Sequence, residues 1–350
     1  MENFESVVRA EFEPKNTFLN TASSGLLPAR TVAALSEAAR VRAEGRPLTS
    51  LHTDVEESRA AFARLAGVPV TRVAAGPSVA AHTALIAASL PAGAEVLTAE
   101  DDFASVVNPF HVRGDLKVRA VPLERLAESV RPGTALVAVS AAQSADGRIA
   151  DLGAVREAAR THGARTCVDW SQAAGWLPLA ADDFDYTVSI CFKWLLGPHG
   201  AAFLVVPEDF GGLTPLLAGW VAGERPWDSC YGPVTELAHS ARRFDVSPAL
   251  FSYAGLRHSL ALVEELGVDA VHAHDLALAD RFRAGLASLG REPLPAPGSA
   301  IVSVPGLGRL QPELSRAGIE VSDRAGNLRA SFHLYNTTAD VDRLLDVLSG

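Results

Sequence analysis

The chain has 350 residues, 48% of them hydrophobic and 21% charged, with a formal net charge of −10. That length exceeds what one compact core usually holds, so more than one domain is expected, and the acidic balance excludes the basic face a nucleic-acid partner would need. No apolar run reaches the ~18 residues of a membrane helix, and three scattered cysteines, Cys167, Cys191 and Cys230, exclude a disulfide framework or a zinc cage.

The start, Met1-Glu2-Asn3-Phe4-Glu5, is acidic and lacks the basic and apolar stretches of a signal peptide, so a cytoplasmic protein is expected. An N-terminal arm, 1–28, carries Phe18-Leu19-Asn20-Thr21-Ala22-Ser23-Ser24-Gly25 and turns at Pro28. Helices follow at about 30–46 and 54–67, the second with Val55, Ala60, Ala61, Leu65 and Ala66 on one face. From residue 72 short apolar runs alternate with helical stretches. The runs lie at 72–75, 95–98, 117–121, 135–139 and 165–168, continued at 185–190 and 201–206. The helical stretches fall at 79–90, 104–112, 122–130 and 151–162. Strands this short and this apolar, separated by helices, predict a sheet covered on both faces. Residues 207–247, rich in Gly, Pro and Trp, read as loops over the mouth of that sheet. Two long helices, from 247–248 and at 268–289, precede a tail of strand 300–304, helix 310–317, strand 328–333 and a final helix from Thr338. The expected division is an arm at 1–28, a large domain at 29–247 and a small C-terminal domain at 248–350.

The chemistry concentrates between Cys167 and Gly200. Lys193 has Ile190, Cys191, Phe192, Trp194, Leu195 and Leu196 around it, a poor setting for a solvated ammonium. Burial lowers a lysine's pKa, which suits an amine that holds pyridoxal phosphate as a Schiff base and moves the substrate's α-proton. Asp169 ends an apolar strand, where open α/β sheets bind ligands; a carboxylate there can pair with a protonated pyridine nitrogen or cap the turn at 171–175. Gln172 can reach the cofactor's ring oxygen or a loop backbone. Gly76-Pro77-Ser78 stands where a strand gives way to a helix, so Ser78 is either a phosphate seat or a helix cap. Arg329, on a strand with apolar neighbours, wants a carboxylate, either a substrate's or an internal one. His82 points toward the site from the helix after Ser78. His272 and His274 lack the spacing of a zinc pair, and no metal is expected. Asp101-Asp102 and Asp182-Asp183 read as solvated loop carboxylates.

Asp169-x-x-Gln172, Lys193 in Lys-Trp-Leu-Leu-Gly-Pro, and Arg-Ala-Ser-x-x-x-Tyr-Asn-Thr at 329–337 resemble the class V aminotransferase family. These are the fold-type-I pyridoxal-phosphate enzymes that include cysteine desulfurases, kynureninases and isopenicillin-N-epimerase-like proteins, and the resemblance spans roughly 17–350. It implies an α/β fold, with a large domain built on a mainly parallel seven-stranded sheet plus a small C-terminal α+β domain. It makes Lys193 the Schiff-base lysine, Asp169 the partner of the pyridine nitrogen and Gln172 the ring-oxygen donor. It puts Ser78 and Val79 at the phosphate, Phe103 stacked on the ring, Gln143 near the ring oxygen, and Ser247 across a homodimer interface at the neighbour's phosphate. Arg329 becomes the α-carboxylate arginine, with Asn20 and Ser23 beside the substrate. The chain departs from desulfurases in lacking any cysteine in 300–329 and in offering Phe103 where many members have His. The resulting expectation is a pyridoxal-phosphate enzyme acting on a small α-amino acid, most simply a carbon–sulfur β-elimination lyase, with transamination or epimerisation sharing every residue named. A non-catalytic protein that keeps the fold is the contrary reading, against which Lys193, Asp169 and Arg329 all stand.

Overall fold

The structure, a computed structural model, describes residues 2–47, 51–178 and 180–349. Helix α1 (Glu2–Glu11) leads through the short strand β1 (Thr17–Phe18) to α2 (Ala29–Ala43) and α3 (Leu51–Ala66). The alternating stretch runs β2 (Val73–Gly76), α4 (Val79–Ser89), β3 (Glu95–Ala99), α5 (Ala104–Val112), β4 (Lys117–Val121), β5 (Thr134–Ser140), α6 (Leu152–His162), β6 (Arg165–Asp169), β7 (Tyr186–Ile190) and β8 (Ala202–Val205). Then come α7 (Leu250–Leu266), α8 (Val268–Ser288), β9 (Ile301–Val304), α9 (Gln311–Arg316), β10 (Ile319–Glu320), β11 (Ser322–Arg324), β12 (Asn327–Ser331) and α10 (Thr338–Ser349).

Seven strands form one sheet in the order β2-β8-β7-β6-β5-β3-β4. The pairs among β3, β4, β5, β6 and β7 are parallel, and β8 runs antiparallel to both its neighbours. Successive side chains leave a strand on opposite faces, and here both faces are buried. Leu97, Val137, Val139 and Val168 enter one core, while their chain neighbours Val96, Leu136, Ala138 and Cys167 enter the other. That double burial explains the unbroken apolar runs in the sequence.

One expected helix is not formed. Residues 122–130 make two short 3-10 turns, Leu123–Arg125 and Ala127–Ser129. Pro122 supplies no capping side chain, and Leu123, Leu126 and Val130 still reach the core from the tighter turns.

The arm ties the two ends of the chain together. β1 pairs in parallel with β10, and Leu19 is buried in the core of the C-terminal part beside Phe282 and Leu328. Helix α7 packs on α2 and α3, and its Tyr253, Leu256 and Leu260 join the core that contains Phe62 and Phe203. Strands β11, β12 and β9 form a separate antiparallel sheet. Along β12, Leu328 and Ala330 face that part's core, whereas Arg329 and Ser331 face the arm and the large sheet. Among the described residues no helix is long and apolar enough to cross a membrane.

Candidate active site

The parallel strands β3, β5, β6 and β7 end on one side of the sheet, where a crevice forms in open α/β folds. A cavity of about 270 Å³ opens there, lined by residues that include Ser23, Val79, Phe103, Ser144, Lys193 and Arg324.

Asp169 is the last residue of β6 and is 2% exposed. Its Oδ1 accepts from the backbone N–H of Ser171 at 2.8 Å and from the Ser171 hydroxyl, while Oδ2 accepts no hydrogen bond among the described residues. Burial pushes its carboxyl up to about 6, against the pull of the Ser171 bonds and of Lys193.

Lys193 follows β7 and is 5% exposed. Its Nζ lies 5.0 Å from the centre of the Phe103 ring and makes no hydrogen bond among the described residues. Burial pulls the ammonium down to about 8; Asp169 opposes this, and Arg329 and Arg324 reinforce it. A loop held on several sides carries the residue. The N–H of Gly25 donates to the carbonyl of Phe192 at 2.8 Å, and the N–H of Gly197 donates to that of Cys191 at 2.8 Å.

Phe103 opens α5, its ring 43% exposed over the lysine. Asp102, expected in solvent, is 8% exposed and anchors that ring. Its Oδ1 accepts from the Phe103 N–H at 2.7 Å and the Ser140 hydroxyl at 2.6 Å, and Oδ2 accepts from the Ser140 N–H at 2.8 Å. An aspartate that receives several donors can be buried at modest cost.

Ser78 caps α4, accepting from the N–H of Ala81 at 3.2 Å, and Val79 is buried against the cavity. His82 does not line the cavity. Its imidazole is buried and sits so close to Gly76 that a Cβ there would fall 2.5 Å from the ring. Burial drops it to about 4, so the ring is neutral.

Gln172 uses its whole amide inside the protein. Nε2 donates to the Ala22 carbonyl and the Ser144 hydroxyl, both at 2.9 Å, and Oε1 accepts from the Trp194 indole at 2.8 Å. It therefore joins the arm, the loop after β5 and the residue next to Lys193. Gln143 is buried beside that loop, its amide 3.5 Å from the Ser140 carbonyl, and its neighbour Ser144 is the one that lines the cavity.

Arg329 is 1% exposed and has no carboxylate partner among the described residues. One terminal nitrogen donates to the Ser144 carbonyl and, at 3.2 Å, to its hydroxyl; the other donates to the Ser23 hydroxyl at 2.7 Å. Its Nε has no acceptor among the described residues, and burial pushes the guanidinium down to about 9. Asn20 supports this group indirectly, its Oδ1 accepting from Ser23 at 2.7 Å and from Ser322 at 2.6 Å. The structure thus brings Lys193, Phe103, Val79 and Ser23 around one cavity, with Arg329 behind it on Ser23 and Ser144 and with Asp169 acting on the charge of Lys193. Ser247 lies outside it, exposed in the loop before α7.

Sequence reasoning missed Arg324, Ser105, Ser144 and Phe192, which also line the cavity. The signal for Arg324 was its alternation with Ser322, which predicts a common face on a strand.

The groups present fit pyridoxal phosphate. A buried amine of lowered basicity can hold its aldehyde, and Asp169 Oδ2 remains free for a pyridine N–H. Phe103 supplies a flat face, and the start of α4 supplies donors for a phosphate. Neither buried thiol reaches the cavity. Cys167 and Cys191 lie in the two sheet cores with burial pushing both thiols up, and Cys230 is exposed elsewhere.

The family model described as Aminotransferase class-V matches residues 17–344. An uncharacterized aminotransferase of Bacillus subtilis, YcbU, is 26% identical over 84% of this chain and 83% of its own length. Isopenicillin N epimerase of Amycolatopsis lactamdurans is 28% identical over 97% of this chain and 96% of its own. The cystine C-S lyase C-DES, solved with cysteine persulfide, superposes with a TM-score of 0.87 at 23% identity, over 96% of this chain and 97% of that one.

Proposed function

The chain belongs to the class V aminotransferase family of pyridoxal-phosphate-dependent enzymes, and from that premise we propose that it is a β-elimination lyase that cleaves a carbon–sulfur bond in a cysteine-like α-amino acid. The observation that carries the reading is the chemistry of the cavity: an amine, one arginine and serines, and no thiol. A desulfurase would need a cysteine here to take the sulfur, so sulfur must leave still attached to the departing group.

Bound pyridoxal phosphate supplies the electron sink that acidifies the substrate's α-carbon. Lys193 Nζ, whose pKa burial lowers to about 8 so that more of the neutral base is present near neutral pH than for an ordinary lysine, takes the α-proton and can return one to the leaving sulfur. Arg329, whose only partners among the described residues are oxygens of Ser144, Ser23 and Ser322, orients the α-carboxylate by a charge-assisted fork. Asp169 holds the proton on the pyridine nitrogen, and Phe103 excludes water from one face. Written in products, an S-substituted cysteine plus water gives a thiol, pyruvate and ammonium. The same reading takes the working form to be a cytoplasmic homodimer, in which Ser247, exposed on the single chain, serves the neighbour's phosphate seat.

The test is to incubate the holoenzyme with S-substituted cysteines and cystine and quantify products. Thiol (cysteine persulfide in the case of cystine), pyruvate and ammonium in equal amounts, lost in Lys193→Ala, support elimination. A keto acid that retains the sulfur, with pyridoxamine phosphate left on the protein, would make the enzyme an aminotransferase instead.

A further inference from the structure

We propose that Arg324 makes this enzyme selective for amino acids that carry a second carboxylate on the side chain, an inference that rests on the amino-acid site proposed above. Arg324 and Arg329 meet on one atom. A terminal nitrogen of Arg324 donates to the Ser23 hydroxyl oxygen at 2.9 Å, and a terminal nitrogen of Arg329 donates to that same oxygen at 2.7 Å. Ser23 can accept both because its own proton goes to Asn20 Oδ1 at 2.7 Å. Two guanidinium groups are thus gathered at one hydroxyl, close to Lys193. Neither has a carboxylate within ion-pair distance among the described residues, and no carboxylate lines the cavity. Like charges gathered without a counter-ion call for anions from outside.

The two arginines differ in depth. Arg329 is 1% exposed on a central strand, whereas Arg324 stands at the cavity rim, exposed at the tip of the hairpin joining β11 to β12. A ligand whose α-carboxylate takes the deep arginine and whose amine reaches Lys193 has its side chain left to meet the outer one. The rim arginine is also presented rigidly. Its hairpin turns in two residues, Ala325 and Gly326, both at positive φ. The turn is pinned by the Gly326 N–H donating to Asp323 Oδ1 at 2.9 Å and by the Gly308 N–H donating to the Gly326 carbonyl at 3.0 Å. Arg324 itself donates to the Asp323 carbonyl at 2.8 Å. A fork held this way loses little freedom when it engages a planar carboxylate.

The closing experiment compares S-carboxymethyl-cysteine with S-carbamoylmethyl-cysteine, which match in shape and differ in charge. The holoenzyme is titrated with each while the cofactor absorption band is followed, and kcat/KM for thiol release is measured in parallel. The native enzyme is expected to prefer the acid by about tenfold or more in affinity and in kcat/KM, the worth of one charge-assisted contact. Arg324→Gln brings that ratio toward one, and Arg324→Lys, which keeps the charge without the fork, leaves an intermediate ratio. A native ratio near one, or an undiminished ratio in Arg324→Gln, overturns the proposal even if both compounds are cleaved. Charge-selective binding without thiol release would leave Arg324 in its role and remove the lyase reading. No band shift with either compound overturns both.

Discussion

His333 and Asp275 form a fully buried pair, with Nδ1 2.9 Å from Oδ2, beneath the peptide that follows Lys193. The other ring nitrogen, Nε2, lies 3.0 Å from the carbonyl oxygen of Trp194, the residue after Lys193. Both ring nitrogens therefore face oxygen atoms. With Asp275 ionised the ring must carry two protons; with Asp275 protonated a neutral ring suffices, and burial pushes the aspartate in that direction.

The first prediction concerns this pair. His333→Ala opens a cavity, strands a buried carboxylate and frees the Trp194 carbonyl, so it should cost about 3 kcal/mol or more. Asp275→Asn should cost much less, because an amide can donate to Nδ1 while a neutral ring donates from Nε2. Urea unfolding of both variants gives the comparison. Equal losses would show that the charge of Asp275, rather than its hydrogen bond, holds the site.

The second prediction is a pH dependence. If Lys193 holds the cofactor as proposed, only its neutral amine can add to the aldehyde, and burial lowers its pKa to about 8 from the ordinary 10.5. Cofactor uptake by the apoprotein should therefore speed up about tenfold per pH unit below about 8 and level off above it. The same depression has a stability sign. Between about 8 and 10.5 the unfolded lysine holds a proton that the folded one has lost, so this group stabilises the apoprotein as pH rises through that window. Stopped-flow absorbance across pH reads the rate, and a rate still climbing at pH 10 would place the amine in solvent.

Much of this was legible in the sequence because the large sheet is buried on both faces. Runs such as Ala135–Val139 and Thr166–Val168 announce their strands, and the residues at their carboxyl ends, among them Asp169, announce the crevice. Lys193 stood out for the same reason, a cation among apolar neighbours. The rest depended on pairing that composition does not reveal. β1 and β10 are two-residue strands that exist only because each finds the other across the chain, and β11, Ser322–Arg324, is wholly polar. Arg324 was hidden with it. Asp102 was misread because the donors that make its burial tolerable come from Ser140, far along the chain, and from its own neighbour Phe103.

The third prediction tests the platform under Arg324. Ala325 takes φ of 51° in the two-residue turn, a left-handed conformation that costs an alanine about 1 kcal/mol, whereas Asn-Gly is the preferred pair for such turns. Ala325→Asn should raise the thermal midpoint while leaving the position of Arg324 unchanged. A lower midpoint would mean that the turn is not under strain.

The fourth prediction concerns how the arm controls the lysine. A Cβ built on Gly25 would lie 2.1 Å from the carbonyl oxygen of Lys193 and 2.8 Å from the Leu196 side chain. The first obstacle is backbone, so rotamer changes cannot relieve it. The backbone of the arm is held in turn by the Gly25 N–H to Phe192 carbonyl bond at 2.8 Å and by the bridge between Asn20 and Ser331. Gly25→Ala must then displace either the arm or the lysine loop, at a cost of about 1–3 kcal/mol. If the arm moves, Ser23 leaves Arg329 and KM for amino acids rises with the cofactor spectrum unchanged. If the loop moves, Lys193 shifts from its place by Phe103 and cofactor affinity falls. Measuring both separates the two, and a variant with native KM, native cofactor affinity and native stability would show that this close contact has no bearing on the site.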